Sequence, residues 1–341
     1  METRALGQTG LTVTRLGFGG IPLQRPPEPE ARAVVRRALD QGCTFFDTAR
    51  AYQASERLIG EALEGDRDRV VLATKSLART AEAMAADVAR SLVDLRTDRI
   101  DLYQAHAVGD AAAWAAVTGP GGALEALQAA RAAGRIRAIG LTTHSPEIAL
   151  LAADHGVFQT LQVPWNPLER QFLPAVERAW KHGLGTIAMK PLAGGALGPV
   201  ATLALRHSLA AGIDVVIPGL DDPAQADEIY ALGDGPYDLD AAEADRLAAE
   251  VARWQGRFCH RCGYCMPCPN GLNIPMLLLF DAYTARYGLG SWSAMRLGGL
   301  SKFYTDCEAC GECVARCPYA LQIPELMKEA AARDPRRSPP A

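Results

Sequence analysis

Eight short apolar segments recur along the first two-thirds of the chain, and this rhythm constrains the fold more than any other feature. They cover residues 15–19, 44–47, 70–74, 101–105, 138–142, 160–163, 185–189 and 215–218. Each is bounded by turn residues, as strands buried on both faces of a parallel sheet are. Alanine-rich stretches of helical periodicity alternate with them, at 32–41, 56–63, 81–95, 123–133, 173–182 and 203–211. A short hairpin turning at Gly10 is expected to precede the first strand. Eight strands alternating with helices over about 220 residues match the size and pattern of an α/β fold, the (β/α)8 TIM barrel. A doubly wound sheet is the rival. Gly17-Phe18-Gly19-Gly20 lacks the last glycine of a dinucleotide fingerprint and opens no helix, which argues against that rival.

The bulk numbers narrow the class. The chain has 341 residues, is 49% hydrophobic and 22% charged, and carries a formal net charge of −4. A soluble protein with one large domain and one small one is expected. No apolar run approaches the roughly 20 residues of a membrane helix. Mild acidity and the lack of a basic stripe with interleaved aromatics argue against a nucleic-acid partner. Met1 to Gly10 contains no basic region followed by an apolar run, so a cytoplasmic protein without a signal peptide is expected. The anticipated divisions are a barrel over 1–238, a connecting helix over 239–255, a cysteine domain over 256–326 and a disordered tail over 327–341. Asp240 and Glu243 have capping-box spacing at the start of the connecting helix.

Eight of the nine cysteines fall in the last quarter, in two runs: Cys259, Cys262, Cys265 and Cys268-Pro269, then Cys307, Cys310, Cys313 and Cys317-Pro318. Thiolates at i, i+3 and i+6, with a fourth before proline, suit a 4Fe–4S cubane wrapped by a tight loop. Disulfides are one alternative, and a cytosolic chain disfavours them. Two zinc sites are another, although zinc sites usually show two separated C-x2-C pairs. Cys43 stands apart before a strand and reads as a small core residue.

Polar residues at the C-terminal ends of barrel strands point into the mouth, where such folds carry their chemistry. Asp47 ends the second strand, Tyr52 follows on its loop, Lys75 ends the third strand and His106 the fourth. Each alone has an ordinary reading: a cap, a packing ring, a solvated ammonium, a satisfied core histidine. On successive strand ends they make one chemical set. Reduction of a carbonyl by hydride leaves an alkoxide that needs a proton. A tyrosine supplies it when a nearby ammonium stabilises the phenolate, and a carboxylate holds that ammonium. A histidine opposite orients or polarises the carbonyl.

With these motifs the chain resembles the aldo-keto reductase family over residues 3–235. The resemblance rests on Gly17-Phe18-Gly19-Gly20, Asp47-Thr48-Ala49-x-x-Tyr52, Lys75, Asp101-Leu102-Tyr103-x-x-His106, Gln162-Val163-Pro164-Trp165-Asn166-Pro167 and Ile217-Pro218-Gly219. It implies a catalytic set of Tyr52, Lys75, Asp47 and His106 and an NAD(P)H cofactor. By the same resemblance Gly20 and Ile21 lie near the cofactor. Thr142, Thr143 and Gln162 take the nicotinamide amide. Met189, Lys190 and Leu192, with Gly219, Asp221, Asp222 and Gln225, carry the rest of the dinucleotide. The chain departs from the family at Met189, where an aromatic ring is common, and at Thr142-Thr143, where serine and asparagine are. Asp221 and Asp222 stand where basic residues select a 2′-phosphate, so NADH is expected to serve at least as well as NADPH.

The cysteine runs, with Tyr264-Cys265-Met266-Pro267-Cys268-Pro269, make the chain similar to the subgroup with a C-terminal ferredoxin-type domain holding two 4Fe–4S clusters. Its long spacer, with a helix expected over 275–287 and a glycine-rich turn over 288–299, resembles the helical type of that domain. The resemblance implies crossed ligation: Cys259, Cys262 and Cys265 with Cys317, and Cys307, Cys310 and Cys313 with Cys268. A structural, sensing or electron-relay role is open for the clusters. The implied partners are a small carbonyl or alcohol and, for a relay, a redox protein. The different-class rival is an iron–sulfur electron-transfer protein whose barrel is a docking scaffold. Residues 107–122 read as a mouth loop with Trp114 as a wall or an exposed residue.

Overall fold

In the computed structural model, which describes residues 1–336, all eight anticipated barrel strands form. After the hairpin strands β1 (Thr3–Ala5) and β2 (Thr12–Thr14) come β3 (Phe18–Gly19), β4 (Phe45–Asp47), β5 (Val71–Ser76) and β6 (Ile100–Ala105). β7 (Ile136–Thr142), β8 (Thr160–Pro164), β9 (Gly185–Met189) and β10 (Val215–Ile217) complete the set. β3 to β10 pair in parallel in chain order. Parallel bridges Leu16 to Val216 and Gly19 to Gly219 join the first strand to the last and close the barrel.

Strand alternation sorts the side chains into two cores. Phe45, Ala73, Leu102, Ala138, Ile187, Val215 and Ile217 point inward and form the barrel interior. Leu6, Leu11 and Val13 of the hairpin fill the same core. Leu6 packs at Gly185, which opens β9, so the hairpin stops the N-terminal end of the barrel. Their neighbours Phe46, Leu72, Tyr103, Ile139, Leu161 and Ala188 point outward against the helices. Cys43 is fully buried in that outer core.

The helices around the barrel are α1 (Glu28–Asp40), α2 (Ser55–Ala62), α3 (Ala81–Asp94), α4 (Ala111–Thr118), α5 (Ala123–Ala132), α6 (Pro146–Asp154), α7 (Leu173–Lys181), α8 (Ala201–Ala210) and α9 (Pro223–Tyr230). α4 corrects the expectation of an open loop over 107–122. Asp110 accepts the Ala113 N–H at 2.8 Å and caps it. Trp114 is neither a free wall nor exposed: its ring packs edge-on to His155 and against Phe158.

The chain divides into two compact units, residues 1–193 with 201–244, and residues 194–200 with the chain from Asp245 on. α10 (Ala241–Trp254) begins with the expected capping box: Glu243 N–H donates to Asp240, and Asp240 N–H to the Glu243 carboxylate. The second unit is helical, with α11 (Ile274–Tyr287), α12 (Gly290–Leu297), α13 (Glu312–Ala315) and α14 (Ile323–Ala332). Two expectations are corrected there. The glycine-rich stretch 288–299 contains α12, because only Gly288, at φ 66°, is left-handed; Gly290 opens the helix and Gly298 caps its end. The anticipated tail begins inside α14. Arg333 then makes a two-pronged pair with Asp281 at 2.9 Å, and Arg336 lies over the Phe303 ring. Residues 337–341 of that tail lie outside the described residues.

Candidate active site

The inward register of the interior core continues upward into polar residues. Asp47, Lys75, Gln104, Thr142, Gln162 and Met189 each lie two residues beyond an inward-facing residue of their strand, so they share one end of the barrel. Lys75 Nζ donates to Asp47 Oδ1 at 2.6 Å and to the Thr48 carbonyl at 2.8 Å. The pair is almost sealed, with 1% and 4% of the side chains exposed. The ammonium lies 5.0 Å from the centre of the Tyr52 ring. The Tyr52 and His106 rings meet edge to face at 5.9 Å. The structure therefore brings all four residues of the expected set together.

Charge in this sealed space is constrained. Burial lowers the Lys75 pKa and raises that of Asp47, while each partner's charge opposes the other's shift. Asp47 Oδ2 makes no formed hydrogen bond, and the Gln162 amide is the looser donor beside the carboxyl. Burial pushes His106 well below its usual range, and the cations of Lys75, Arg79 and Lys190 add to the effect. The imidazole is therefore neutral near pH 7. Its Nδ1 is buried without a partner.

The residues expected around a dinucleotide fall into distinct situations. Gly20 donates its N–H to the Asp47 carbonyl at 2.8 Å, and its own carbonyl accepts from Ser55 Oγ at 2.9 Å. A Cβ at Gly20 would stand 2.8 Å from both Asp47 O and Ser55 Oγ, so only glycine allows this close approach. Ile21 opens a 3-10 turn, Ile21–Gln24, beside it. Thr142 Oγ1 accepts the Ala107 N–H at 2.8 Å and keeps its own proton to donate. Thr143 is different. Its hydroxyl donates to Val108 O at 2.6 Å and accepts the Ser145 N–H at 2.9 Å, so it is committed to holding loops. Met189 is half-buried at the end of β9. Lys190 takes a left-handed φ of 55°, and its carbonyl accepts from Asn166 Nδ2. Leu192 packs on the outer core.

Past β10, Gly219 sits on the barrel seam. Asp221 Oδ2 holds Arg25 Nη1 at 2.7 Å, its N–H donates to Gln225 Oε1, and Asp222 caps α9 through the Ala224 N–H. The two carboxylates that look alike in sequence thus differ: one is an ion-pair partner, the other a cap. Arg25 was invisible to sequence reasoning, being 196 residues from its partner. Gln104 was also missed. Its signal was a polar residue on the inward register of an apolar strand.

The chemistry of this donor set fits a dinucleotide. A half-buried Arg79 holds the carbonyls of His106 and Ala107 and makes no ion pair among the described residues. Arg79 and Lys190 both lie close enough to His106 to act on its charge, so they bring cationic side chains to this end of the barrel.

In the second unit the eight thiols separate into two sets. Cys259, Cys262, Cys265 and Cys317 line one cavity. Cys268, Cys307, Cys310 and Cys313 line another. Each cavity draws its fourth thiol from the other sequence run. Ile274 and Ile323 line both. Burial raises Cys259 to about 11 and Cys265 to about 12, and neighbouring thiols push the same way. Buried thiols that oppose one another's ionisation fit a cationic iron core, which removes that opposition.

A closed eight-stranded α/β barrel with a polar set at successive strand ends places the first unit in the class of (β/α)8 enzyme barrels. Residues 15–200 match the Aldo/keto reductase family, and residues 258–322 match the 4Fe-4S dicluster domain. The chain belongs to the aldo/keto reductase family, with a 4Fe–4S dicluster domain at its C-terminal side. It is 34% identical over 196 residues to the aldo-keto reductase YhdN of Bacillus subtilis, covering 52% of this chain and 57% of that one. Identity to a 6-dehydroglucose reductase of Novosphingobium aromaticivorans is 30% over 62% of this chain and 76% of that one. Among solved structures, PA4992 of Pseudomonas aeruginosa superposes with a TM-score of 0.60 at 29% identity, over 68% of this chain and 93% of that one. An aldo-keto reductase of Bacillus halodurans shares the fold, with a TM-score of 0.65 at 24% identity over 73% and 96% of the two chains. Among the described residues no helix is long and apolar enough to cross a membrane.

Proposed function

We propose that the protein interconverts a small carbonyl and an alcohol with NAD(P)H, and that Tyr52 moves the proton. The observation that carries this reading is the sealed Asp47–Lys75 pair beside the Tyr52 ring, with a neutral His106 against the same ring. The dinucleotide, when bound, supplies or accepts the hydride. Tyr52 Oη delivers a proton to the carbonyl oxygen, and in the reverse direction takes it from the alcohol. The resulting phenolate is stabilised by the Lys75 ammonium, which Asp47 and the Thr48 carbonyl hold in place. His106, being neutral, presents an N–H that orients the carbonyl oxygen without adding charge. Gly20, Ile21, Thr142, Gln162 and Met189 surround the nicotinamide end, and Lys190, Leu192, Gly219 and Gln225 the remainder.

NADH serves at least as well as NADPH in this reading, because Asp221 already occupies the nearby Arg25. Two 4Fe–4S clusters are held by Cys259, Cys262, Cys265 and Cys317, and by Cys307, Cys310, Cys313 and Cys268; they are one-electron groups by nature. Cys265 and Cys313 are buried within the apolar core of the second unit, and Cys259, Cys268, Cys307 and Cys317 pack against it. That favours a structural role, in which the clusters complete a core too small to stand alone. Eight reduced thiols suit a cytoplasmic location.

Tyr52→Phe, made in anaerobically purified, iron-loaded protein, tests the assignment. Carbonyl-dependent NADH oxidation should fall by about 10²- to 10⁴-fold, with NADH binding nearly intact. Retained turnover rejects the role of Tyr52.

A further inference from the structure

Gln104 is a polar residue of the barrel interior that the proposed chemistry leaves unused. It lies on β6 two residues before His106 and is fully buried. Its Nε2 donates to Gln162 Oε1 at 2.7 Å. Its own Oε1 is buried without a partner. Space for this side chain depends on Gly140 of β7. A Cβ there would lie 2.9 Å from Gln104 Cγ and 3.0 Å from its Oε1. An apolar pair would fill the same space without the cost of burying two amides.

The polarity of the pair is constrained from both sides. Asp47, bound to Lys75, can only accept hydrogen bonds. The Gln162 amide beside it is therefore oriented with its NH2 toward the carboxylate side and its carbonyl toward Gln104. A glutamine amide is nearly symmetric in shape, so nothing steric prevents it from turning over. The Gln104 donor adds a second constraint to that of Asp47, because the Gln162 carbonyl accepts from it.

We propose that Gln104 is a positioning residue that locks the Gln162 amide with its NH2 presented toward the cofactor, where it meets the carboxamide oxygen of nicotinamide. This rests on the dinucleotide reading above. Gln104 touches neither cofactor nor substrate and acts only through Gln162.

Gln104→Met keeps the volume and removes the donor. Isothermal titration of the iron-loaded, full-length protein with NADH and with ADP-ribose, which lacks nicotinamide, separates the roles. The variant should bind NADH roughly 5- to 100-fold more weakly, the range for orphaning one buried acceptor. ADP-ribose affinity should stay within about twofold, a margin below one ordinary hydrogen bond. Equal weakening of both ligands, or none for NADH, overturns the proposal. Gln104→Met/Gln162→Met removes both polar groups and guards against misfolding of the single variant. It should bind NADH as Gln162→Met alone does, whereas additive losses overturn the proposal. Wild-type protein that binds ADP-ribose but not NADH also overturns it. Wild-type protein that binds neither refutes the dinucleotide reading itself, and this inference with it.

Discussion

Replacing Asp47 by asparagine isolates the electrostatics of the site, because the two side chains have nearly the same shape. The Lys75 ammonium would then sit in a space where only 1% of its side chain reaches solvent, with neutral acceptors alone, the Thr48 carbonyl and the new amide oxygen, in place of a carboxylate. Leaving a buried charge without its partner costs about 3–5 kcal/mol. The chain can instead release the proton. For a lysine of solution pKa about 10.4, that costs about 4 kcal/mol at pH 7.5, which sets a ceiling on the destabilisation. A loss of about 3–4 kcal/mol is therefore expected at pH 7.5.

The sign of the pH dependence follows directly. The variant's folded Lys75 pKa is depressed, so the unfolded chain binds more protons and stability rises with pH. At pH 9.5 the same deprotonation costs only about 1.2 kcal/mol. Urea unfolding of wild type and variant at both pH values, followed by tryptophan fluorescence, reads this difference. A loss of equal size at both pH values points to packing and refutes the electrostatic reasoning. So does a loss below about 1 kcal/mol at pH 7.5, the scale of an exposed pair.

Three further outcomes are expected. Cys317→Ala should remove the cluster bound by Cys259, Cys262 and Cys265 and spare the other, as read by iron content and EPR; loss of the second motif's cluster instead contradicts the crossing. Asp221→Asn removes the carboxylate charge facing Arg25, and should raise kcat/KM for NADPH relative to NADH by about 10- to 100-fold, the worth of one charged hydrogen bond; an unchanged ratio places Arg25 away from the ribose. His106, held neutral by burial, should make the native state bind fewer protons than the unfolded chain below pH 6.5. Stability should then decline below that pH by up to about 1.4 kcal/mol per unit until the folded pKa is reached, and His106→Gln should lessen this slope in urea titrations at pH 5.5 and 7.0.

The barrel was legible because its strands obey a simple period. Phe45, Ala73 and Leu102 alternate with Phe46, Leu72 and Tyr103, and the same alternation carries Asp47, Lys75 and Gln104 to one end. Elements without a period were not legible. α4 reads Ala-Ala-Ala-Trp-Ala-Ala-Val-Thr, apolar on every side, so no face marks it as a surface helix. α12 is hidden by glycines at its borders, which a composition reading takes for a turn. Pairings across long separations were equally invisible. Nothing local announces that Arg25 meets Asp221, or that Thr143 spends its hydroxyl on Val108 rather than on a ligand. The crossing of thiols between cavities came from resemblance, because spacing alone left zinc and disulfide arrangements open.

The shared lining of the two cavities has a consequence for how the protein is made. Neither set of four thiols exists until the second run has been synthesised, since each cavity takes a thiol from both runs. A chain emerging from the ribosome can complete its barrel strands while its first four cysteines still lack their counterparts. Iron delivered at that moment finds three-quarters of a site. Under the proposed ligation, cluster insertion is thus a late event, completed only after translation through Cys317.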